Sequence, residues 1–92
     1  MDNITDNRVD TIYDVIFFWN ATKDESYKQY ASETFCNILG YTPLLSVKIV
    51  FDASEKGKTL IMSTRNIEKA TQIRDKLTAL DLECKICPVT VN

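Results

Sequence analysis

Cys36, Cys84 and Cys87 are the side chains in this sequence best suited to covalent or metal chemistry. Cys84 and Cys87 have the C-x-x-C spacing of redox dithiols and of half a zinc site. A thiol nucleophile needs a base to take its proton, and the chain contains no histidine. The same absence removes Ser-His pairs, histidine proton shuttles and most zinc sites. No second C-x-x-C completes a tetrahedral set. The motif also falls in a strand-like run, where positions i and i+3 point to opposite faces, so half-buried strand thiols are expected rather than a dithiol centre. With only two glycines, Gly40 and Gly57, the glycine-rich phosphate loops are excluded. An enzyme built on this chain would have to work with carboxylates, lysines or thiols alone, and for Cys36 or Lys58 as nucleophile no base or orienting group can be named beside either. The expectation is a non-enzymatic protein with no cofactor, no metal and no catalytic residue.

Composition points to a small folded chain. The 92 residues make one domain, and 45% apolar with 26% charged is the balance of a globular protein. A net charge of −2 gives no reason to expect nucleic acid or an anionic membrane as partner. Met1 to Thr11 carries Asp2, Asp6 and Asp10 without the apolar core of a secretory signal. The longest apolar stretch, Val15 to Trp19, is far shorter than a membrane span. An odd number of cysteines makes no disulfide framework, so a reducing cytoplasm is the expected compartment.

Residues 1–12 read as a flexible polar tail and 13–92 as the single domain. Tyr13-Asp-Val-Ile-Phe-Phe-Trp19 is β-branched and aromatic, apolar enough for a central strand. After the polar connection Asn20 to Asp24, apolar residues recur at spacings of three and four from about Glu25 to Leu39, a helix that Gly40 terminates. Asp24 is a good cap for it. The next segment is ambiguous. Thr42-Pro43 is a helix start, and Leu44, Val47 and Phe51 would share one helical face; Ser46-Val-Lys-Ile-Val-Phe51 reads equally well as a strand. Lys58 to Ser63 is a strand. Thr64 or Asn66 caps a helix to about Leu80, with Ile67, Ala70, Ile73, Leu77 and Leu80 as its buried stripe, and the charges from Glu68 to Lys76 on its solvent face. Leu82 to Cys87 alternates as a final strand that Pro88 ends or places at an edge. Without a basic surround the aromatics, Phe18, Tyr30 and Phe51 among them, are expected in the core rather than on a stacking platform. The two resulting orders are β-α-α-β-α-β and the ferredoxin-like β-α-β-β-α-β, both with helices on one face of a small, mostly antiparallel sheet. The second order would suit a small-molecule-binding or regulatory dimerisation module.

The run Lys48-Ile-Val-Phe-Asp-Ala-Ser-Glu-Lys-Gly-Lys58 is similar to a segment of ClpS adaptors that reads, in outline, "I-M-L-x-V-H-x-x-G-K". Tyr13-Asp-Val-Ile-Phe-Phe resembles that family's opening "Y-x-V-I-L-L" strand, and Tyr30 to Gly40 resembles its first helix. Ile67 to Leu80 and Cys84 to Pro88 fit its last helix and strand. The resemblance covers roughly residues 13–88, with about three extra residues after the first strand. The C-terminal domain of the ribosomal stalk protein shares the fold and a similar opening. The resemblance implies a helix over the ambiguous segment, hence an α+β fold with a three-stranded sheet and three helices in the order β-α-α-β-α-β.

It also implies an adaptor that docks on the N-terminal domain of a Clp-type AAA+ unfoldase and delivers or modulates protein substrates. In the family an Asn-Asp pair and a histidine hold the free α-ammonium of a substrate whose first residue, the N-degron, enters an apolar hole. Carried onto this chain, the ammonium ligands become Asn20, Asp24 and Ser54, and the hole becomes Tyr41, Val50 and Ala53. Ala21 stands where the acidic partner is expected, and Ser54 where the histidine is. Losing one charge-assisted hydrogen bond to a buried ammonium costs on the order of 1.5–3 kcal/mol, so these departures imply weakened recognition of ordinary N-degrons.

Overall fold

The run with the densest apolar pattern takes the centre of the sheet. In this computed structural model, which describes residues 10–91, Asp10–Phe18 (β1) pairs antiparallel with Lys58–Thr64 (β2) on one side and with Cys84–Val91 (β3) on the other, giving the strand order β2-β1-β3. Between them the chain forms Glu25–Leu39 (α1), Pro43–Lys56 (α2) and Ile67–Ala79 (α3). The fold is therefore the α+β order β-α-α-β-α-β. The ferredoxin-like alternative is excluded, because Val47 to Phe51 is helical.

Local chemistry explains that outcome. Thr42 Oγ1 accepts from the Leu45 N–H at 3.2 Å, Pro43 occupies the first turn, and Gly57 closes the helix at φ 90° with its N–H on Ala53 O at 2.7 Å. β-branched residues in a helix cost at most about 0.7 kcal/mol each, less than the burial of Ile49, Val50 and Ala53 against the rest of the molecule returns. α1 begins at Asp24, whose carboxylate accepts from Ser26 N–H at 3.1 Å, and ends at Gly40 with φ 72°. For α3 the cap is Asn66, whose Oδ1 takes the N–H groups of Glu68 and Lys69. Thr64 serves one step back, accepting from Asn66 N–H at 3.1 Å.

The helices cover one face of the sheet. Val15 and Phe17 on β1 are fully buried, and Phe17 meets Phe35 of α1 edge-on at 5.1 Å between ring centroids. Ala31, Ala53 and Ala70, one on each helix, are also fully buried. Their small side chains leave room for Phe35, Leu77 and Leu82. Ser46 is fully buried as well and accepts from Cys36 Sγ at 3.2 Å, so that hydroxyl is satisfied across the α1–α2 contact.

Several expectations are corrected. The paired strand starts at Asp10, so Asp10 to Ile12 belong to the sheet rather than to a tail, and residues 1–9 lie outside the described residues. Of the two outcomes expected at Pro88, the edge is the one found: Pro88 sits inside β3, which pairs with β1 alone. Ile67 and Leu80 are exposed, and Leu82 just past α3 takes the core position instead. Tyr30 and Phe51 are exposed too, and Phe18 lies on the sheet face that the helices leave open.

Candidate functional site

α1 and α2 are joined by three residues and form a helical hairpin. Its two helices do not close over their outer side. A groove of about 590 Å³ remains there, lined by Gln29, Ser32 and Cys36 of α1 and by Val47, Val50 and Phe51 of α2, with Lys28 and Glu33 at its margin. The cause lies in α2, which is apolar on two faces. Ile49, Val50 and Ala53 are spent on the core, while Leu44, Val47 and Phe51, at i, i+3 and i+7, form a second row that nothing in the chain covers among the described residues. Leu44 is 81% exposed, and Val47 and Phe51 are each 53% exposed. On the α1 side short or polar side chains keep the groove open, and Gln29 Nε2 is held by Glu33 at 3.0 Å.

The residues that the family resemblance nominated are not gathered at this groove. Asn20 Oδ1 accepts from Thr22 N–H at 3.0 Å and from Thr22 Oγ1 at 2.6 Å, so the side chain closes its own loop. Asp24 accepts from Ser26 Oγ at 2.6 Å as well as from its N–H; these bonds hold its carboxyl below the usual range, and they are the bonds of a helix cap. Ser54 Oγ donates to Phe51 O at 2.9 Å, back into its own helix. Tyr41 donates to Ile61 O at 2.6 Å, and its burial raises the phenol's pKa. Ala53 is core. Of the six, Val50 alone lines the groove.

The residues between β1 and α1 turn toward α3. Lys23 Nζ pairs with the Asp81 carboxylate at 2.7 Å, and Tyr27 and Tyr30 donate to the carbonyls of Asp81 and Leu80. Asn20 therefore sits with Phe18, Tyr27 and Asp81 around a small cleft of about 160 Å³. Trp19 is the tie to the α2 side, donating its backbone N–H to Gly57 O at 2.9 Å.

Groove residues outside that set, Val47 and Phe51 above all, carried one sequence signal. A helix with apolar residues on both faces has more of them than one core contact can use. Chemically the groove offers apolar side chains, an amide and a carboxylate, the makings of a binding surface. The cysteines are dispersed. Cys36 hydrogen-bonds Ser46, burial pushes the Cys84 thiol up to about 12, and Cys87 is exposed. Among the described residues no group of three or more Cys, Asp or Glu side chains is placed to hold a metal ion, and no helix is long and apolar enough to cross a membrane. No protein-family model and no curated protein matches the chain.

Proposed function

We propose that this protein is a non-enzymatic adaptor of the ClpS type, which docks on the N-terminal domain of a Clp AAA+ unfoldase and presents a bound polypeptide to it. The observation that carries the reading is the uncovered row Leu44, Val47 and Phe51 beside the α1–α2 groove. Exposed apolar side chains this close together on a small domain mark a protein-binding surface. The element order agrees with the one that the resemblance implies. In this reading the groove takes apolar side chains of the cargo, and the ammonium of a free N-terminus contributes little, because Asn20, Asp24 and Ser54 spend their hydrogen bonds locally.

The test is a titration of labelled peptides beginning with Leu or Phe, their acetylated twins, and a Clp N-terminal domain. Binding of the Clp domain, together with apolar peptides whether or not they are acetylated, is the expected outcome. A strict requirement for the free amine would restore an N-degron pocket. Failure of the Clp domain to bind at about 100 μM would end the unfoldase assignment.

A further inference from the structure

A second recess lies on the opposite side of the molecule, on the sheet face that carries no helix. Ile16 and Phe18 alternate along β1 with the buried Val15 and Phe17, so they project away from the core. Lys58 is the β2 partner of Phe18, and Lys85 is the β3 partner of Ile16. Sheet register thus delivers a cation from each flanking strand to one ring. Lys58 Nζ lies 5.9 Å and Lys85 Nζ 5.2 Å from the Phe18 centroid. Leu60, the β2 partner of Ile16, is 48% exposed and extends the apolar floor, and the whole recess holds about 540 Å³.

We propose that this recess binds a nucleoside phosphate, with the base on Phe18 and Leu60 and the phosphates between Lys58 and Lys85. An ammonium over a phenyl ring in water is held weakly, so both lysines are available to an anion. A bare inorganic anion would leave the aromatic and aliphatic floor in water, whereas a planar base covers it. Carboxylates limit the anion's length. Asp14, on the same face of β1, accepts from Ser63 Oγ at 2.6 Å, and Glu83 lies 3.9 Å from Lys85. A strand of nucleic acid crossing the sheet would run into both, on a chain whose net charge is already −2. A single nucleotide has only Glu83 to displace, from an exposed 3.9 Å pairing with Lys85 of the kind worth little in water, and the recess is of the size that small ligands occupy.

Amide chemical shifts of the ¹⁵N-labelled protein, followed while ADP or UDP is added, test this directly. The expected shifts cluster on Phe18, Thr59, Leu60, Lys85 and Ile86, with a Kd below about 1 mM. Adenosine alone and inorganic phosphate alone should each bind at least about tenfold more weakly, and so should ADP to Lys58→Met, Lys85→Met and Phe18→Leu. The lysine variants change exposed groups, and the amide spectrum of each variant reports whether the fold is kept. No shifts by 10 mM of either nucleotide, shifts located elsewhere, or affinity unmoved in Lys58→Met and Lys85→Met would each overturn the proposal. None of these readouts involves the α1–α2 groove.

Discussion

Tyr27 donates its phenol to the carbonyl of Asp81 at 2.6 Å, joining the first turn of α1 to the turn after α3 across 54 residues of sequence. Asp81 is there at φ 70°, a left-handed conformation that a non-glycine residue keeps only when its surroundings hold it. Three bonds do so, because Tyr30 holds the neighbouring Leu80 carbonyl and Lys23 holds the Asp81 carboxylate. Tyr27→Phe would leave a partly buried carbonyl without its donor. We expect a loss of about 1–2 kcal/mol in urea unfolding with little change elsewhere in the amide spectrum. An unchanged unfolding midpoint would mean that water replaces the phenol freely.

Alkaline pH should destabilise the fold from buried groups. Burial raises the Cys84 thiol from 9.0 to about 12, and the Tyr27 phenol, with Asp81 nearby, from 10.0 to about 12. Both groups keep their protons in the folded state after the unfolded chain has released them. Their contribution is therefore intact below pH 9 and is lost progressively between about pH 9 and 12. Melting curves from pH 7 to 11 should show the decline beginning near 9 in the parent and nearer 10 in Cys84→Val, where the phenols of Tyr27 and Tyr41, both raised by burial, are left to carry it.

Gly57 gives a cleaner test of backbone strain. Its φ is 90°, and a Cβ added there would meet nothing within 4 Å. Gly57→Ala should then cost about 1–2 kcal/mol from conformation alone, with no repacking of neighbours. Because Gly57 O also accepts from the Trp19 backbone N–H, tryptophan fluorescence would report any shift of the turn, and it should stay unchanged in the folded variant.

The helix ends were legible from sequence because capping is local. Asp24, Gly40 and Thr42-Pro43 act within a few residues of themselves, and each stands where the residue pattern places it. The Val47 to Phe51 segment was not legible from propensity, since its β-branched residues favour a strand and tertiary burial of Ile49, Val50 and Ala53 overrides them. Leu44, Val47 and Phe51 do share one helical face. Periodicity still does not reveal which of two apolar faces meets the core, and here the core took the other. The nominated ammonium ligands Asn20, Asp24 and Ser54 dispersed for a related reason. Residue type shows which hydrogen bonds a side chain is able to make, while the nearest backbone or hydroxyl partner decides which it does make.

Exposure separates binding from stability in α2. Phe51 and Val47 contribute little to the core, so Val47→Ser and Phe51→Ser should alter unfolding free energy by no more than about 0.5 kcal/mol. Their loss from a groove that anchors a partner should be felt at the level of an interface hot spot, about 2 kcal/mol or roughly thirtyfold in Kd. Ser54→Ala, which removes only a hydroxyl bonded to its own helix, should leave both quantities unchanged. Measuring calorimetric binding of the apolar peptides beside the melting temperature of each variant decides the matter. If Ser54→Ala weakens binding while Val47→Ser and Phe51→Ser do not, the cargo site belongs at the end of α2 rather than in the groove.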